Sequence, residues 1–153
     1  AKAVIMYDTM WESTDTMARA IADGLVSEGI DVQLMRLREN ARSNVATHIL
    51  DAGALVVGSP TMNNGLYPTL ADAMTYLKGL RPKNLIGATF GSYGWSGEAV
   101  KVLNEYFDAM KIRRVGNGIN VMYVPTDDDV AQCHQLGRDV ATQLSAHVAA
   151  AQG

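Results

Sequence analysis

The sequence predicts an α/β fold, a three-layer sandwich with helices on both faces of a five-stranded parallel sheet of order 2-1-3-4-5. Three observations predict this class. Short apolar runs alternate with segments of helical periodicity along the chain, as in βαβ units. The central runs are apolar on both faces, as in a buried parallel sheet. The 153 residues suit one core, so we expect a single domain over residues 1–153.

The first strand is predicted over residues 4–7, where the sequence is Val-Ile-Met-Tyr. A hydroxyl-rich turn over residues 9–14 then leads directly into a helix, for which Gly29 is a natural end. The apolar face of this helix repeats at helical spacing and contains Met17, Ile21 and Leu25.

The middle of the chain continues the alternation. A partly polar strand over residues 32–35 is predicted at an edge of the sheet, and a short helix over 43–50 follows it. The second buried strand, over residues 54–57, ends in Gly58-Ser59-Pro60. A long loop then leads to a helix over residues 69–80.

The last third supplies the remaining elements. A third buried strand is predicted over residues 85–90, followed by a helix over 98–110. The final strand is predicted over residues 119–124, and a long helix runs from there to about residue 150. The total is five strands and five helices, connected by right-handed crossovers.

Composition excludes several classes of protein. The formal net charge of -3 does not favour binding to nucleic acid or to an anionic membrane. No apolar run approaches the ~20 residues of a membrane span, and no secretory leader is visible. The single Cys133 fits a reducing compartment, so we expect a cytoplasmic protein. Because Ala1 lies almost directly before a core strand, we expect a domain cut from a longer chain.

Three predicted loops meet beyond the carboxyl ends of the strands, where ligands of such sheets bind. The first, over residues 9–14, carries the hydroxyls of Thr9, Ser13 and Thr14 at a helix N-terminus. Free N–H groups there stabilise an anion, so this loop is interpreted as a site for the phosphate of a mononucleotide. The alternative is an ordinary helix cap made by Ser13 or Thr14.

The other two loops provide polar amides and aromatic rings. Asn63 and Asn64 can donate to and accept from the edge of a heterocycle, although Asn64-Gly65 is equally typical of a plain turn. Tyr93 and Trp95 lie in a Gly/Ser-rich loop and can stack on a planar ring. A loop folded over its own aromatic residues, with Ser96 as a helix cap, is the alternative.

No metal or catalytic site is predicted. His48, His134 and His147 fall on helices without metal-ligand spacing, and no Ser/His/Asp set can be assembled at the strand ends. The acidic run that follows Thr126 is typical of a helix cap.

Four segments together resemble a known family. The segments are Tyr7-Asp8-Thr9-Met10-Trp11, Gly58-Ser59-Pro60-Thr61-Met62-Asn63-Asn64-Gly65, Leu77-Lys78-Gly79-Leu80-Arg81-Pro82-Lys83 and Phe90-Gly91-Ser92-Tyr93-Gly94-Trp95-Ser96-Gly97-Glu98-Ala99. They are similar to the flavodoxin-like domain of flavodiiron proteins, which are also called A-type flavoproteins or rubredoxin:oxygen oxidoreductases. The resemblance spans the whole chain and implies a flavodoxin-like fold.

The resemblance also implies an FMN cofactor. The residues that it implies at the phosphate are Thr9, Met10, Trp11, Glu12, Ser13 and Thr14. Those implied near the ribityl chain and the ring are Pro60, Thr61, Met62, Asn63, Asn64, Ser92, Tyr93, Gly94, Trp95, Ser96 and Gly97. Glu12 departs from the family, which usually has a small or neutral residue there, and its carboxylate would repel a phosphate unless it points into water. Only the backbone N–H of Glu12 is therefore assigned to the phosphate.

In the resembled family this domain follows a metallo-β-lactamase-like domain with a di-iron site that reduces dioxygen or nitric oxide. The resemblance implies that this chain passes electrons from rubredoxin or a similar donor to that site, in a homo-oligomer that places the FMN of one protomer near the iron of another. By itself it is not expected to complete the oxygen chemistry.

Three other functions remain as alternatives. A stand-alone flavodoxin would carry electrons between free partners, and a quinone reductase would hold a substrate over the ring. A receiver-type signalling module would need a cluster of acids at the strand ends, where Asp8 is the only one at the first strand.

Trp95→Ala tests the stacking interpretation. Loss of the indole should weaken FMN binding by about 1 kcal/mol or more, the scale of an aromatic pair. A titration of the variant with FMN measures this change, and unchanged affinity would remove Trp95 from the ring site.

Overall fold

The computed structural model describes residues 1–10, 12–94 and 97–152, with side chains described through residue 150. The strands of this part of the chain are β1 Lys2–Tyr7, β2 Asp31–Arg36, β3 Ala54–Met62, β4 Gly65–Leu66, β5 Ile86–Tyr93, β6 Arg113–Arg114 and β7 Ile119–Met122. The helices are α1 Ser13–Ser27, α2 Arg42–Ile49, α3 Pro68–Leu80, α4 Glu98–Ala109 and α5 Asp127–Gln152, with a 3-10 turn at Leu37–Glu39. The predicted α/β class and the five predicted helices are confirmed.

The sheet runs in the order β2-β1-β3-β5-β6, with β7 also paired to β5 and β4 paired to β3. The prediction of five strands is wrong for the described residues, which form seven. The predicted order holds when β6 and β7 are counted as one interrupted fifth position. β6 pairs with the start of β5 and β7 with its end, and all of these pairs are parallel. Between them Gly116 and Gly118 take the left-handed φ values 77° and 95°, which bend the chain out of the ladder.

β4 is the other strand that was not predicted. It pairs antiparallel with the end of β3 through a turn at Asn63 and Asn64, whose φ values are 50° and 62°. Two consecutive residues with positive φ form the hairpin turn that Asn-rich dipeptides favour. A turn is therefore present, but it lies at Asn63-Asn64, one residue before the predicted Asn64-Gly65, and Gly65 already belongs to β4. β3 is longer than its apolar core.

Two hydrophobic clusters cover opposite faces of the sheet. Along β1, Ile5 and Tyr7 point to the cluster under α1 and α5, whereas Val4 and Met6 point to the cluster under α2, α3 and α4. This alternation is the two-residue period of a strand with two buried faces. Each large apolar side chain removed from water contributes about 1.5–3 kcal/mol, so the central strands anchor the loops at their ends.

None of the helices in the described part of the chain combines the length and the apolar character that a membrane crossing needs.

Helices α1 and α5 touch through their backbones. A Cβ atom added to Gly24 would lie 2.1 Å from the carbonyl oxygen of His134, and one added to Gly137 would lie 2.1 Å from that of Ile21. A side chain at either position would push the helices apart. The two glycines therefore set the distance of α1 from α5, and with it the position of the loop that precedes α1.

We predict that Gly24→Ala destabilises the fold by about 2 kcal/mol or more, because the methyl group overlaps backbone that has no room to move. Gly79→Ala is the matched control, since no described atom lies within 4 Å of a Cβ there and alanine is the better helix former. Urea unfolding of both variants measures the difference. Equal stability of the two variants would contradict the tight contact.

Candidate functional site

A cavity of about 450 Å³ opens beyond the carboxyl ends of β1, β3, β5 and β7, within the size range of small-molecule pockets. Its lining comes from four separate connections of the chain. The lining residues are Met10, Ser13, Pro60, Thr61, Ser92, Tyr93, Gly94, Tyr123 and Val124. The structure thus brings together the three loops that the sequence singled out and adds a fourth.

The loop before α1 contains an unpaired hydroxyl. The Oγ1 atom of Thr9 is buried, and it has no hydrogen-bond partner among the residues described. The Ser13 hydroxyl donates to the backbone oxygen of Tyr123 at 2.8 Å, and the Thr14 and Ser92 hydroxyls lie 2.8 Å apart. Buried polar atoms are nearly always hydrogen-bonded, so an unpaired hydroxyl directly before Met10, a residue of the cavity wall, indicates a place for an external acceptor.

The residue that precedes α1 at its N-cap is Glu12, in the left-handed region at φ 66°. The alternative in which Ser13 or Thr14 caps the helix is therefore wrong, because both are already within α1. The first N–H groups of a helix have no intrahelical acceptor and carry partial positive charge. Within the described part of the chain, no residue outside the helix accepts a hydrogen bond from these groups, so an anion can bind to them.

Asp8 anchors the loop before α1 through hydrogen bonds, and it was not among the site residues predicted from the sequence. Its side chain is fully buried. It accepts hydrogen bonds from the Thr9 backbone N–H at 2.9 Å, from Arg38 Nε at 3.1 Å and from Thr69 Oγ1 at 2.8 Å. Arg38 also donates to the Thr9 backbone oxygen at 2.6 Å. The signal that could have revealed Asp8 is an acidic residue placed directly after an apolar strand.

Glu12 directs its carboxylate away from the helix. Its Oε1 atom accepts a hydrogen bond of 2.8 Å from Arg36 Nη2, with 68% of the Glu12 side chain exposed. The hydrogen bond with Glu12 raises the pKa of Arg36 above its ordinary value. The repulsion expected between the Glu12 carboxylate and a bound phosphate is thus reduced for two reasons. The carboxylate points away from the helix, and the positive charge of Arg36 offsets its negative charge.

The second loop contributes only its first residues to the cavity wall. Pro60 and Thr61 line the cavity, and the Thr61 hydroxyl accepts a hydrogen bond of 3.1 Å from the Ala99 backbone N–H at the start of α4. Met62, Asn63 and Asn64 lie at the exposed end of the β3–β4 hairpin and are not among the described residues that line the cavity.

The third loop begins as strand. Ser92 and Tyr93 are the last residues of β5, and together with Gly94 they line the cavity. Gly97 lies outside the wall and is the N-cap of α4, with its carbonyl oxygen accepting a 2.9 Å hydrogen bond from Asn120 Nδ2. The predicted residues Trp11, Trp95 and Ser96 lie outside the described residues.

Tyr123 and Val124 were assigned to the last strand by the sequence, and the structure instead places them after it, in the cavity wall. Tyr123 has a φ of 58°, and its N–H donates to the Tyr93 carbonyl oxygen at 2.7 Å. Gly94 faces its ring, since a Cβ on Gly94 would lie 3.4 Å from a ring carbon. The sequence shows an apolar run that continues up to Pro125, and no signal in it separates these two residues from the strand.

The acidic run after Thr126 has a structural role. Thr126 and Asp129 form a reciprocal cap at the start of α5, with the Asp129 N–H donating to Thr126 Oγ1 at 3.1 Å, which confirms the capping interpretation. The part of the chain that is described contains no group of three His, Cys, Asp or Glu side chains placed to hold a metal ion.

The resembling segment over residues 77–83 lies near the start of β5, at the end of the sheet opposite the carboxyl ends of the strands. A cavity of about 880 Å³ is lined there by Lys78, Arg81, Lys83 and Lys111, near the C-terminal ends of α3 and α4. Cations at helix C-termini offset the negative end of the helix dipole. This segment is thus separate from the cavity at the carboxyl ends of the strands.

The fold and the cavity define an α/β protein with a candidate ligand site at the switch point of its sheet. A flavodoxin family model matches residues 5–137, and the chain belongs to the flavodoxin family. It is 47% identical over 146 residues to a nitric oxide reductase of Moorella thermoacetica, covering 95% of this chain and 37% of that protein.

Solved structures of flavodiiron proteins and of a flavodoxin are similar to this chain as well. The rubredoxin oxygen:oxidoreductase of Desulfovibrio gigas is similar with a TM-score of 0.95 and 44% identity, over 97% of this chain and 37% of that one. The flavodiiron protein of Giardia intestinalis gives 0.91 and 32%, over 95% and 36%. A flavodoxin from the Archaea gives 0.86 and 31%, over 95% of this chain and 99% of that one. The resemblance to flavodiiron proteins is confirmed, and the chain spans about 37% of the length of the first two proteins.

The fold and the family imply binding of a flavin. The residues around the cavity fit a phosphorylated ligand, since the unpaired Thr9 hydroxyl and the first N–H groups of α1 offer donors in the loop that leads into its wall. Met10, Pro60 and Tyr123 in the wall offer apolar contact.

Under α1, the buried Tyr7 phenol donates a short hydrogen bond to Asp15 in the first turn of the helix. Burial, followed by the bond to Asp15 and its charge, raises the pKa of Tyr7 well above the ordinary 10.0. Burial raises the pKa of Asp15, but the bonds from Tyr7 and Arg19 outweigh it and lower that pKa overall.

We predict that this pair limits stability in alkali. Because the folded pKa of Tyr7 is raised, its contribution is complete below pH 10.0, the unfolded value, and is lost as the pH rises above it. Urea unfolding between pH 8 and 11 should show a steeper loss of stability in the wild type than in Tyr7→Phe. Parallel profiles would contradict the prediction.

Proposed function

We propose that this chain is the FMN-binding electron-transfer domain of a flavodiiron-type oxygen or nitric oxide reductase. The observation that carries the proposal is the buried hydroxyl of Thr9 in the loop before α1, which has no hydrogen-bond partner among the described residues. The next residue, Met10, lines a cavity of ligand size. Membership of the flavodoxin family supports it. The similarity to a longer protein named nitric oxide reductase and to another named rubredoxin oxygen:oxidoreductase supports it as well.

The phosphate of FMN is assigned to the loop before α1. Thr9 offers an uncommitted donor, and Ser13 and Thr14 add hydroxyls that now bond to neighbouring loops. The backbone N–H groups of Glu12 and of the first turn of α1 face the anion. No lysine is needed, because these donors and the helix dipole together supply the positive potential.

The ring of FMN is assigned to the wider part of the cavity. Apolar contact comes from Met10, Pro60, Tyr93 and Tyr123, and polar contact from Thr61 and Ser92. Further proposed contacts, from the resembling segments, are those of Trp11, Met62, Asn63, Asn64, Gly94, Trp95, Ser96 and Gly97. When bound, FMN supplies reversible one- and two-electron transfer.

We assign the partners from the relatives. A rubredoxin or a similar small carrier is the proposed donor, since a similar protein is named a rubredoxin oxygen:oxidoreductase. A di-iron domain of a longer parent chain, assembled as a homo-oligomer, is the proposed acceptor. The exposed side chains of Met10, Tyr123 and Val124 at the cavity rim suit a partner surface that approaches the ring.

A stand-alone flavodoxin is the second candidate function. The archaeal flavodoxin favours it, because this chain covers 99% of that protein. The full coding sequence separates the two functions: a metallo-β-lactamase-like region in the same chain supports the first, and its absence supports the second. The receiver-type alternative is set aside, since the chain belongs to the flavodoxin family.

The flavin itself is tested on the purified chain. We expect a yellow protein with flavin absorbance, or a colourless one that binds added FMN at micromolar concentration. A colourless protein that does not bind FMN at that level would overturn both candidate functions.

We predict that Thr9→Val weakens FMN binding by about tenfold or more, because a hydrogen bond to a charged acceptor contributes about 1.5–3 kcal/mol. Thr142→Val is the matched control, since this hydroxyl bonds to the Arg138 backbone oxygen on the exposed side of α5. Fluorescence titration with FMN compares the two variants. An equal effect of both would show that the Thr9 hydroxyl does not contact the ligand.

A further inference from the structure

One ion pair at the edge of the phosphate loop has no part in the proposed contacts. It joins Glu12, the N-cap of α1, to Arg36, the last residue of β2. Arg36 lies in register with Tyr7 at the carboxyl end of the sheet, and its side chain is only 18% exposed. The strand therefore fixes where the guanidinium lies, and the flexible, exposed partner is the glutamate.

The backbone at Glu12 does not explain the choice of residue. A φ of 66° is unfavourable for a residue with a Cβ, and it would suit glycine better. A carboxylate at a helix N-terminus is normally attracted to the free N–H groups of the first turn. Here the carboxylate turns outward to Arg36 instead, so those N–H groups remain available.

The charges around the loop balance in pairs. Asp8 is matched by Arg38, which also holds the Thr9 carbonyl oxygen, and Glu12 is matched by Arg36. Arg36 Nε lies 4.0 Å from Asp8 Oδ1, and this buried donor has no hydrogen-bond partner in the described ranges. Arg36 thus faces both carboxylates while bonding to only one of them.

We infer that Arg36 is a positioning residue for the phosphate site: it draws the Glu12 carboxylate off the N-terminus of α1 and offsets its charge. Without Arg36, the carboxylate would turn to the free N–H groups of its own helix and compete with the phosphate for them. This inference rests on the proposed function, since it concerns the same site. If the inference holds, this ion pair helps the chain to bind a flavin with a phosphate more tightly than a flavin without one.

The test measures two ligands that differ only in the phosphate. FMN and riboflavin are titrated against the flavin-free wild-type chain, Arg36→Gln, Glu12→Gln and the double variant. We expect Arg36→Gln to weaken FMN binding by about fivefold, the effect of one uncompensated charge near a helix terminus. Glu12→Gln should bind FMN at least as tightly as the wild type, and the double variant should return close to it. Riboflavin affinity should stay the same throughout.

Two controls separate charge from folding. Arg138→Gln removes an exposed ion pair of 2.9 Å with Glu28 at the far end of α1, and should leave both affinities unchanged. Arg36→Lys keeps the charge and should retain most of the FMN affinity. Thermal unfolding of each variant records whether the fold is preserved.

Each outcome decides the inference. If Arg36→Gln weakens riboflavin as much as FMN, or if the double variant binds FMN no better than Arg36→Gln, the pair acts through the fold and the inference is overturned. Unchanged FMN affinity in Arg36→Gln overturns it as well. If the wild type binds neither ligand, the proposed function fails first. If the wild type binds FMN and all variants bind it with the same affinity, the role of Arg36 is refuted and the proposed function stands.

Discussion

The hydrogen bonding of the Asp8 carboxylate is the constraint on which the candidate site depends. A fully buried carboxylate is costly unless it is paired and hydrogen-bonded, and removal of one partner from a buried pair costs about 3–5 kcal/mol. Asp8 meets this requirement with the Thr9 N–H, with Arg38 from the 3-10 turn and with Thr69 from α3. One side chain at the end of β1 thereby connects three separate segments, and the loop above it inherits their positions.

The cavity itself follows from where the strands end. β3 and β5 continue beyond their apolar centres, and they carry Pro60 and Ser92 side by side into the wall. The chain after β7 then returns across the end of β5, where Tyr123 bonds to Tyr93 and accepts from Ser13. A ligand in this space would touch segments that are distant in sequence but held together by backbone hydrogen bonds.

The sequence was sufficient for the parts of the fold that depend on periodicity. Alternating apolar runs predicted the class, the sheet order and all five helices, because burial on two faces requires those patterns. It did not predict β6, since a two-residue strand leaves no periodic signal and its separation from β7 depends on the φ values of Gly116 and Gly118. Turn signals such as Asn64-Gly65 were equally compatible with a loop and with the observed hairpin.

The site was only partly predictable, for a related reason. Hydroxyls and asparagines in loops are visible in a sequence, whereas the partner of each depends on contacts across the fold. The outward turn of Glu12 and the hydrogen bond to the Thr9 backbone oxygen come from Arg36 and Arg38, which lie 24 and 29 residues away in the chain. Tyr123 was assigned to a strand because its apolar neighbours continued the pattern of β7, although its left-handed backbone ends that strand.

The interruption between β6 and β7 also affects how the sheet meets its surroundings. A continuous outer strand would present a row of unpaired N–H and C=O groups to any other extended chain. Here that border consists of two residues and then four, separated by a bend at two glycines. Neither piece is long enough to serve as a template for another strand. The broken border therefore protects this side of the molecule from self-association through β-strand addition, and the protection comes from geometry alone.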